Sequence, residues 1–500
     1  MKDERPDLLV FCVDQMQAFA LGCHGHPDVK TPHLDRLAGE GSSFRRAYCN
    51  NPVCMPARAT LLTGLLPRQH GVVTNGTRLP AGVPTLPQAL AASGYRTHAV
   101  GKLHLQPYDD PGSAEYRAGW DNGSVAGLPL PYYGFQSVDF LGGHVHYCFG
   151  DYRRWLDTQA PGRHADYSRE RATRRRPEPE QTWTIGLPRE WHYNDWIAQR
   201  AIDCLGLRDR SAPLFLWCSF PDPHHPFAAV EPFGSMYDPA SLTVPASFAD
   251  GSDDLPVLAG RRAYYGDRFR FDEEALRAAM AQTYGMITHL DDCIGRVLES
   301  LRASGRLEKT VVLFLADHGE YLGAHHLLFK AEWLFEELVR IPMVWRVPGG
   351  AANGRPSDSV VSHIDVVPTL LDYAGVDPKT MNMRGGARAD REVLPGRSLR
   401  PWLDGGRSLP PQTALIEHDE DWFAGAPLFR IRALVGERFK LVVFASPEGG
   451  QLFDLQEDPG ESRNLWDDPA CTALKAELIE QALRGFCRHD RMDQPRRSGA

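Results

Sequence analysis

The chain has 500 residues, is 42% hydrophobic and carries a formal net charge of −9 with a pI near 6.1. That length calls for two domains, or one large domain with an appendage. The acidic balance excludes a nucleic-acid partner, which requires a basic face, and no run approaches the roughly 20 apolar residues of a membrane span.

Leu8 to Val13 is a short, wholly apolar run that ends in Asp14-Gln15. It reads as a buried parallel strand with functional groups at its carboxyl end. Helix-period segments follow at Thr31–Gly41 and Thr85–Ser93, and a second strand-like run, Tyr95 to Val100, leads into Gly101-Lys102. From Tyr108 to Glu190 the periodicity is weak and aromatics, Gly and Pro are frequent. A long irregular insertion of this kind is usually functional. Its Trp120, Tyr132, Tyr133, Phe135, Phe140 and Tyr147 read as core by default, or as rings for a sugar or a choline-like cation. Arg174-Arg175-Arg176 lies beside PEPEQ and reads as a solvated loop.

Next come a helix over Asn194–Leu207, a strand over Leu214 to Phe220 before Pro221-Asp222-Pro223-His224, and a helix over Glu274–Ser304. A strand over Val311 to Ala316 then precedes Asp317-His318, followed by a strand over Met343 to Val347 and a helix over Ile364–Ala374. Strands alternating with helices predict an α/β fold with a mostly parallel sheet flanked by helices and ligands at the strand carboxyl ends. After Gly375 the texture changes to a Gly- and Arg-rich loop, then to the alternating runs Ile431–Val435, Phe439–Phe444 and Gln451–Leu455. These predict an antiparallel meander, followed by a helix from about Pro469 to Phe486 and a disordered polar tail, RMDQPRRSGA. The expected division is a catalytic domain over 1–380 and a smaller C-terminal α+β domain over 381–500. Glu417 to Glu420, before Trp422, reads as a solvated loop or a pocket rim.

The ten cysteines are scattered and none forms C-x-x-C, as expected of reduced thiols. The segment MKDERPDLLVFCVDQM shows no apolar signal stretch, so a cytoplasmic protein is expected.

Cys54-Met55-Pro56-Ala57-Arg58 reads C-x-P-x-R and is followed by ATLLTG and HGV. A lone cysteine before a helix is ordinarily buried and inert. In this company it resembles the signature of the formylglycine-dependent sulfatases. GYRTHAVGKLHL, FPDPHHPF, LADHGEYLGAHHLLFK with its downstream R-I-P, VSHIDVVPTLLDYAG and LFDLQEDPGESRNLW resemble further segments of that family, in order over most of the chain. The resemblance implies an alkaline-phosphatase-like α/β domain with a small antiparallel C-terminal domain. It also implies that Cys54 is oxidised by a formylglycine-generating enzyme to an aldehyde whose hydrate is the nucleophile. One hydroxyl of that hydrate attacks sulfur; loss of the other's proton then expels sulfate.

Carried over by position, Asp14, Gln15, Asp317, His318 and the modified Cys54 would bind a divalent metal, calcium first, with manganese or magnesium as rivals. Arg58 and Lys102 would hold the charged hydrate, and His104 would take its second proton. His224 and Lys330 would hold the transferring group, with His224 protonating the leaving oxygen. His225 reads as solvent-facing or supporting, and His325 and His326 as structural. Asp14-Gln15 and Asp317-His318 stand where many sulfatases carry Asp-Asp and Asp-Asn. Both departures, and HGVVTNGTRLP with Asn75 near the transferring group, resemble a subset that includes phosphonate monoester hydrolases and cytoplasmic sulfatases. Lys102 and His104 match the sulfatase pattern. The expected activity is hydrolysis of a small-molecule or saccharide sulfate ester, with phosphonate monoester or phosphodiester hydrolysis as the first alternative and an inactive binding protein as the second. Relatives of this kind often associate, so a homo-oligomer is also considered.

Overall fold

A computed structural model describes residues 5–175, 181–207, 212–249, 271–350, 354–381, 394–406, 408–420, 429–445 and 448–489. The main sheet contains β1 (Asp7–Val13), β2 (Ser42–Ser43), β3 (Arg96–Gly101), β4 (Ser137–Gly142), β5 (Phe149–Gly150), β6 (Leu214–Phe220), β7 (Thr310–Ala316) and β8 (Met343–Arg346). Their spatial order is β2-β8-β7-β1-β6-β3-β4-β5. The central strands β7, β1, β6, β3 and β4 run parallel, whereas β8, β2 and β5 are antiparallel to their neighbours. The apolar runs are explained by burial on both faces: every residue of β1, β6 and β7 is buried. Each Leu, Val or Phe so enclosed contributes about 1.5–3 kcal/mol.

Most flanking helices fall where the period-3.6 pattern predicts them; the exception, over Cys54–Thr63, is buried on every side and shows no such period. They include α1 (Pro32–Glu40), α2 (Cys54–Thr63), α3 (Leu86–Ala92), α4 (Tyr193–Leu207), α5 (Glu273–Ala303) and α6 (Val366–Ala374). At the start of α5, the Asp272 side chain accepts the Ala275 N–H at 2.8 Å. The aromatics of the insertion are mostly core: Trp120, Tyr132, Phe135 and Phe140 are buried, while Tyr147 is exposed.

The C-terminal sheet has four antiparallel strands in chain order: β9 (Ala414–Glu420), β10 (Phe429–Val435), β11 (Phe439–Ala445) and β12 (Glu448–Asp454). Its residues alternate between two cores. Ala414, Ile416, Ile431, Ala433, Val435 and Val442 join the main core, while Leu415, Leu434, Leu441 and Leu452 pack under α7 (Thr472–His489).

Two expectations are corrected. Glu417, His418 and Asp419 lie in strand β9 and are buried, not in a solvated loop. Asn50 and Asn51 donate side-chain N–H groups to the Leu415 and Glu417 carbonyls, both at 2.7 Å, which ties β9 to the approach to Cys54. Arg174 and Arg175 pair with Thr184 and Trp183 as a short antiparallel strand rather than a loop. Arg176, the stretch 382–393 beside the expected boundary, Trp422 and the tail RMDQPRRSGA lie outside the described residues.

Candidate active site

Four adjacent strands end at one place. β7 delivers Asp317 and His318, β1 Asp14 and Gln15, β6 the Pro221–His225 turn, and β3 Lys102 and His104. Backbone hydrogen bonds tie these ends together: Asp317 N–H to Val13 O at 3.0 Å, Asp14 N–H to Asp222 O at 3.2 Å, and Lys102 N–H to Ser219 O at 3.1 Å. Gly101 has φ 92°, and a Cβ there would stand 1.9 Å from the Ser219 carbonyl oxygen, so only glycine lets β3 turn toward Lys102. Gln15 and His104, with φ of 61° and 56°, hold left-handed conformations that cost on the order of 1–3 kcal/mol each and cluster at functional sites.

Cys54 opens α2, a helix whose ten residues are all buried. Its Sγ lies 3.1 Å from Lys330 Nζ, 3.2 Å from His318 Nε2 and 3.6 Å from Asp14 Oδ1. Burial and the Asp14 carboxylate push the thiol up, but Lys330, His318 and Lys102 outweigh them and hold it below its ordinary value.

The two site carboxylates are locked by buried cations. Arg58 Nε donates to Asp317 Oδ2 at 2.8 Å, and its terminal nitrogens reach Asp14 Oδ2 at 3.3 Å, Ser219 Oγ at 2.9 Å and the Lys102 carbonyl at 3.0 Å. Lys102 Nζ donates to Asp14 Oδ2 at 2.5 Å. Burial would raise the Asp14 carboxyl, but Lys102, Arg58, Lys330 and His318 hold it well below the usual range.

The donor set fits a divalent cation. Asp14, Cys54, Asp317 and His318 each offer a ligand atom within 4.8 Å of the others, and all four residues are buried. His318 Nδ1 donates to the Gly319 carbonyl at 2.9 Å, which leaves the Nε2 lone pair facing the cluster. The Gln15 amide N–H groups go to Glu320 and to His225 Nδ1, so its Oε1 faces Lys330 at 2.9 Å. Two carboxylates, an amide oxygen and an imidazole make an oxygen-rich set with one nitrogen.

The remaining expected residues divide. Lys330 Nζ, besides Cys54 and Gln15, meets His224 Nε2 at 3.0 Å. His224 Nδ1 donates to the His225 carbonyl at 2.5 Å, so Nε2 is the acceptor. His104 stacks on Tyr108 at 4.1 Å and its Nδ1 is buried without a hydrogen-bond partner. Asn75 is half-buried, and its Oδ1 accepts the Met55 N–H at 3.0 Å, so the contact it makes orients the first turn of α2. His225 supports Gln15, and His325 stacks on Phe335 at 3.7 Å, away from the cluster.

Several supporting residues had not been singled out. Glu115 accepts the backbone N–H groups of His104, Leu105 and Gln106 and the Tyr132 hydroxyl, and so fixes the loop that carries His104. Asp222 accepts the Tyr193 hydroxyl at 2.5 Å and the Asn194 amide at 2.7 Å, and burial pushes its carboxyl up to about 7. Glu320 and Asp222 lie within the polar strings DHGE and PDPHHP, where a search for buried carboxylates would start; no local pattern marks Glu115.

Residues 6–376 match the family described as Sulfatase, and residues 323–486 match the C-terminal region described as N-sulphoglucosamine sulphohydrolase. The chain is 28% identical to an uncharacterized sulfatase, YidJ, of Escherichia coli K12, covering 96% of this chain and 87% of that one. It is 30% identical to the multifunctional alkaline phosphatase superfamily protein PehA of Trinickia caryophylli, over 96% and 95%. Its fold superposes on the crystal structure of phosphonate monoester hydrolase of Agrobacterium radiobacter with a TM-score of 0.81 and 28% identity, covering 97% and 96%. The chain therefore belongs to the sulfatase family of the alkaline phosphatase superfamily and is a sulfuric ester hydrolase.

Proposed function

We propose that the substrate is a small-molecule or saccharide sulfate ester and that residue 54, matured from cysteine to formylglycine, bears the nucleophile. The observation that carries this reading is the ring of Lys330, His318 and Asp14 at 3.1–3.6 Å around the buried Cys54 Sγ at the head of α2. Hydrated formylglycine supplies two hydroxyls on one carbon, one for attack at sulfur and one for release of sulfate. Asp14, Gln15, Asp317, His318 and the matured residue 54 would hold a divalent cation, calcium with manganese or magnesium as rivals, which would supply Lewis-acid charge. Because all of α2 is buried, a formylglycine-generating enzyme meets Cys54, Pro56 and Arg58 before the chain folds.

Arg58 orients Asp317, and Arg58 and Lys102 together keep Asp14 ionised and oriented. Lys330 and His224 hold the transferring group, and the proton that reaches the leaving oxygen passes through His224 Nε2, which Lys330 supplies. His104, with its unpartnered Nδ1, accepts the proton released as sulfate departs. Residues 1–380 form the catalytic domain, with 381–500 as the smaller unit. The ten cysteines, all free, support a cytoplasmic location. Among the described residues no helix is long and apolar enough to cross a membrane.

A second reading, phosphonate monoester hydrolysis, is favoured by Gln15 and His318 and by the name of the Agrobacterium relative. The test is the ratio of kcat/KM toward an aryl sulfate and a matched aryl phosphonate monoester, with Cys54→Ala as the blank. Incomplete maturation scales both rates equally. A ratio favouring sulfate and abolished in the blank is expected; a ratio favouring phosphonate would replace the first reading with the second.

A further inference from the structure

The turn between β4 and β5 holds an unusual backbone beside the site. Gly143 has φ 72°, and a Cβ there would stand 2.3 Å from the Tyr147 carbonyl oxygen. Val145, fully buried, has φ 47°. A β-branched residue in the left-handed region is a genuine outlier, held only where surrounding structure dictates it.

Between these two residues stands His144. Its ring lies nearly flat on the ring of His224, with centroids 3.9 Å apart and planes 22° apart. His225 also lies against His224, with centroids at 4.1 Å and planes 29° apart, so His144 is the nearer and flatter of the two rings; His144 and His225 are 6.2 Å apart. His144 Nδ1 is buried without a hydrogen-bond partner, so that nitrogen does not anchor the ring. From its own strand end the His224 ring is held by Nδ1–H to the His225 carbonyl. With the Lys330 ammonium 3.0 Å from Nε2, that bond fixes a line through the ring and not its plane; the plane is fixed by what lies against the face. Burial, with Lys102 and Lys330 nearby, keeps His144 neutral, so the two imidazoles stack without charge repulsion.

We propose that His144 is a positioning residue whose ring face sets the plane of His224 and so directs His224 Nε2 between Lys330 and the leaving oxygen. The inference rests on the reading of His224 as the route of the proton to that oxygen. It explains why the 143–147 turn tolerates two left-handed residues around a histidine that lays its face on His224 and leaves Nδ1 without a hydrogen bond.

The experiment measures kcat for matured His144→Ala, His144→Phe, His224→Ala and the His144→Ala/His224→Ala pair on aryl sulfates of strongly and weakly acidic phenols. Loss of a positioned proton donor matters most for poor leaving groups. His144→Ala should lose roughly 10- to 100-fold on the weakly acidic phenol and less than about threefold on the strongly acidic one. His144→Phe, which keeps a flat ring, should stay within about threefold of wild type on both. His144→Ala should add nothing in the His224→Ala background. A phenylalanine variant as impaired as alanine, a loss independent of the phenol, or an additive double variant would each overturn the proposal. If His224→Ala itself shows no dependence on the phenol, the reading of His224 fails first, and that result is separate from the His144 outcomes. Should the alanine variant unfold, His144→Leu fills the space without a flat face and takes its place.

Discussion

The buried carboxylate of Glu320 decides which end of the Gln15 amide faces Lys330. Glu320 Oε2 takes the Gln15 Nε2–H, while Oε1 takes the backbone N–H groups of Leu322 and Phe329. In Glu320→Gln the carbonyl stays with the two backbone donors, so the new NH₂ faces Gln15 and turns its amide over. The Gln15 oxygen then leaves the site. Chelation should abolish wild-type activity and calcium should restore it. In the variant the calcium concentration that restores half of the activity, and that raises the thermal midpoint, should rise about 10–100-fold. An unchanged requirement would remove Gln15 from the ligand set.

Much of this site was legible because parallel strands advertise themselves. Leu8–Val13 and Val311–Ala316 are apolar throughout, and the first polar pair after each, Asp14-Gln15 and Asp317-His318, falls at the sheet's carboxyl edge. Lys330 follows His318 by a loop with no periodicity, and the family resemblance alone selected it. Glu115 and His144 act across the irregular insertion, where neither spacing nor hydropathy indicates which residue meets which. Strand β9 reads as a loop in the sequence because its Glu417 and Asp419 are buried through bonds from distant partners: Arg68 N–H to Glu417, and Arg432 to Asp419. Local polarity cannot register such partners.

Residue 54 separates two chemistries. In Cys54→Ala no nucleophile remains, and turnover should fall to background. In Cys54→Ser a hydroxyl can take the sulfuryl group, but it has no second hydroxyl to expel it. Incubation with an aryl sulfate should release up to one equivalent of phenol and leave the protein heavier by one sulfuryl group on residue 54, read by intact mass. Sustained turnover by the serine variant would exclude the need for a formylglycine hydrate.

The small sheet is joined to the large domain by a buried ion cluster. Lys440 on β11 is fully buried and pairs with Glu336 Oε1 at 3.2 Å and with Glu461. The Tyr48 hydroxyl donates to Glu336 as well, at 3.0 Å. Removing the cation leaves these buried carboxylates without the ammonium between them, which costs about 3–5 kcal/mol. Lys440→Met should therefore lower the thermal midpoint sharply at neutral pH, with kcat/KM per folded, matured molecule unchanged below the midpoint. A midpoint within a degree or two of wild type would mean the carboxylates are neutral there.

Asp291 provides the pH test. Its carboxylate oxygens accept the His33 and Leu34 N–H groups at 3.1 and 2.8 Å at the first turn of α1. Burial nevertheless pushes it up from 3.8 to about 7, outweighing those two donors. The folded state therefore keeps a proton that the unfolded chain has released between those values. Stability from this group is full below about 4 and declines as pH rises toward about 7, by up to roughly 4 kcal/mol. Asn at this position has no proton to lose. The destabilisation caused by Asp291→Asn, measured by denaturant unfolding, should be large at pH 5 and shrink by pH 8. A difference between variant and wild type that stays constant over that range would show that Asp291 ionises in the folded protein as readily as in the unfolded chain.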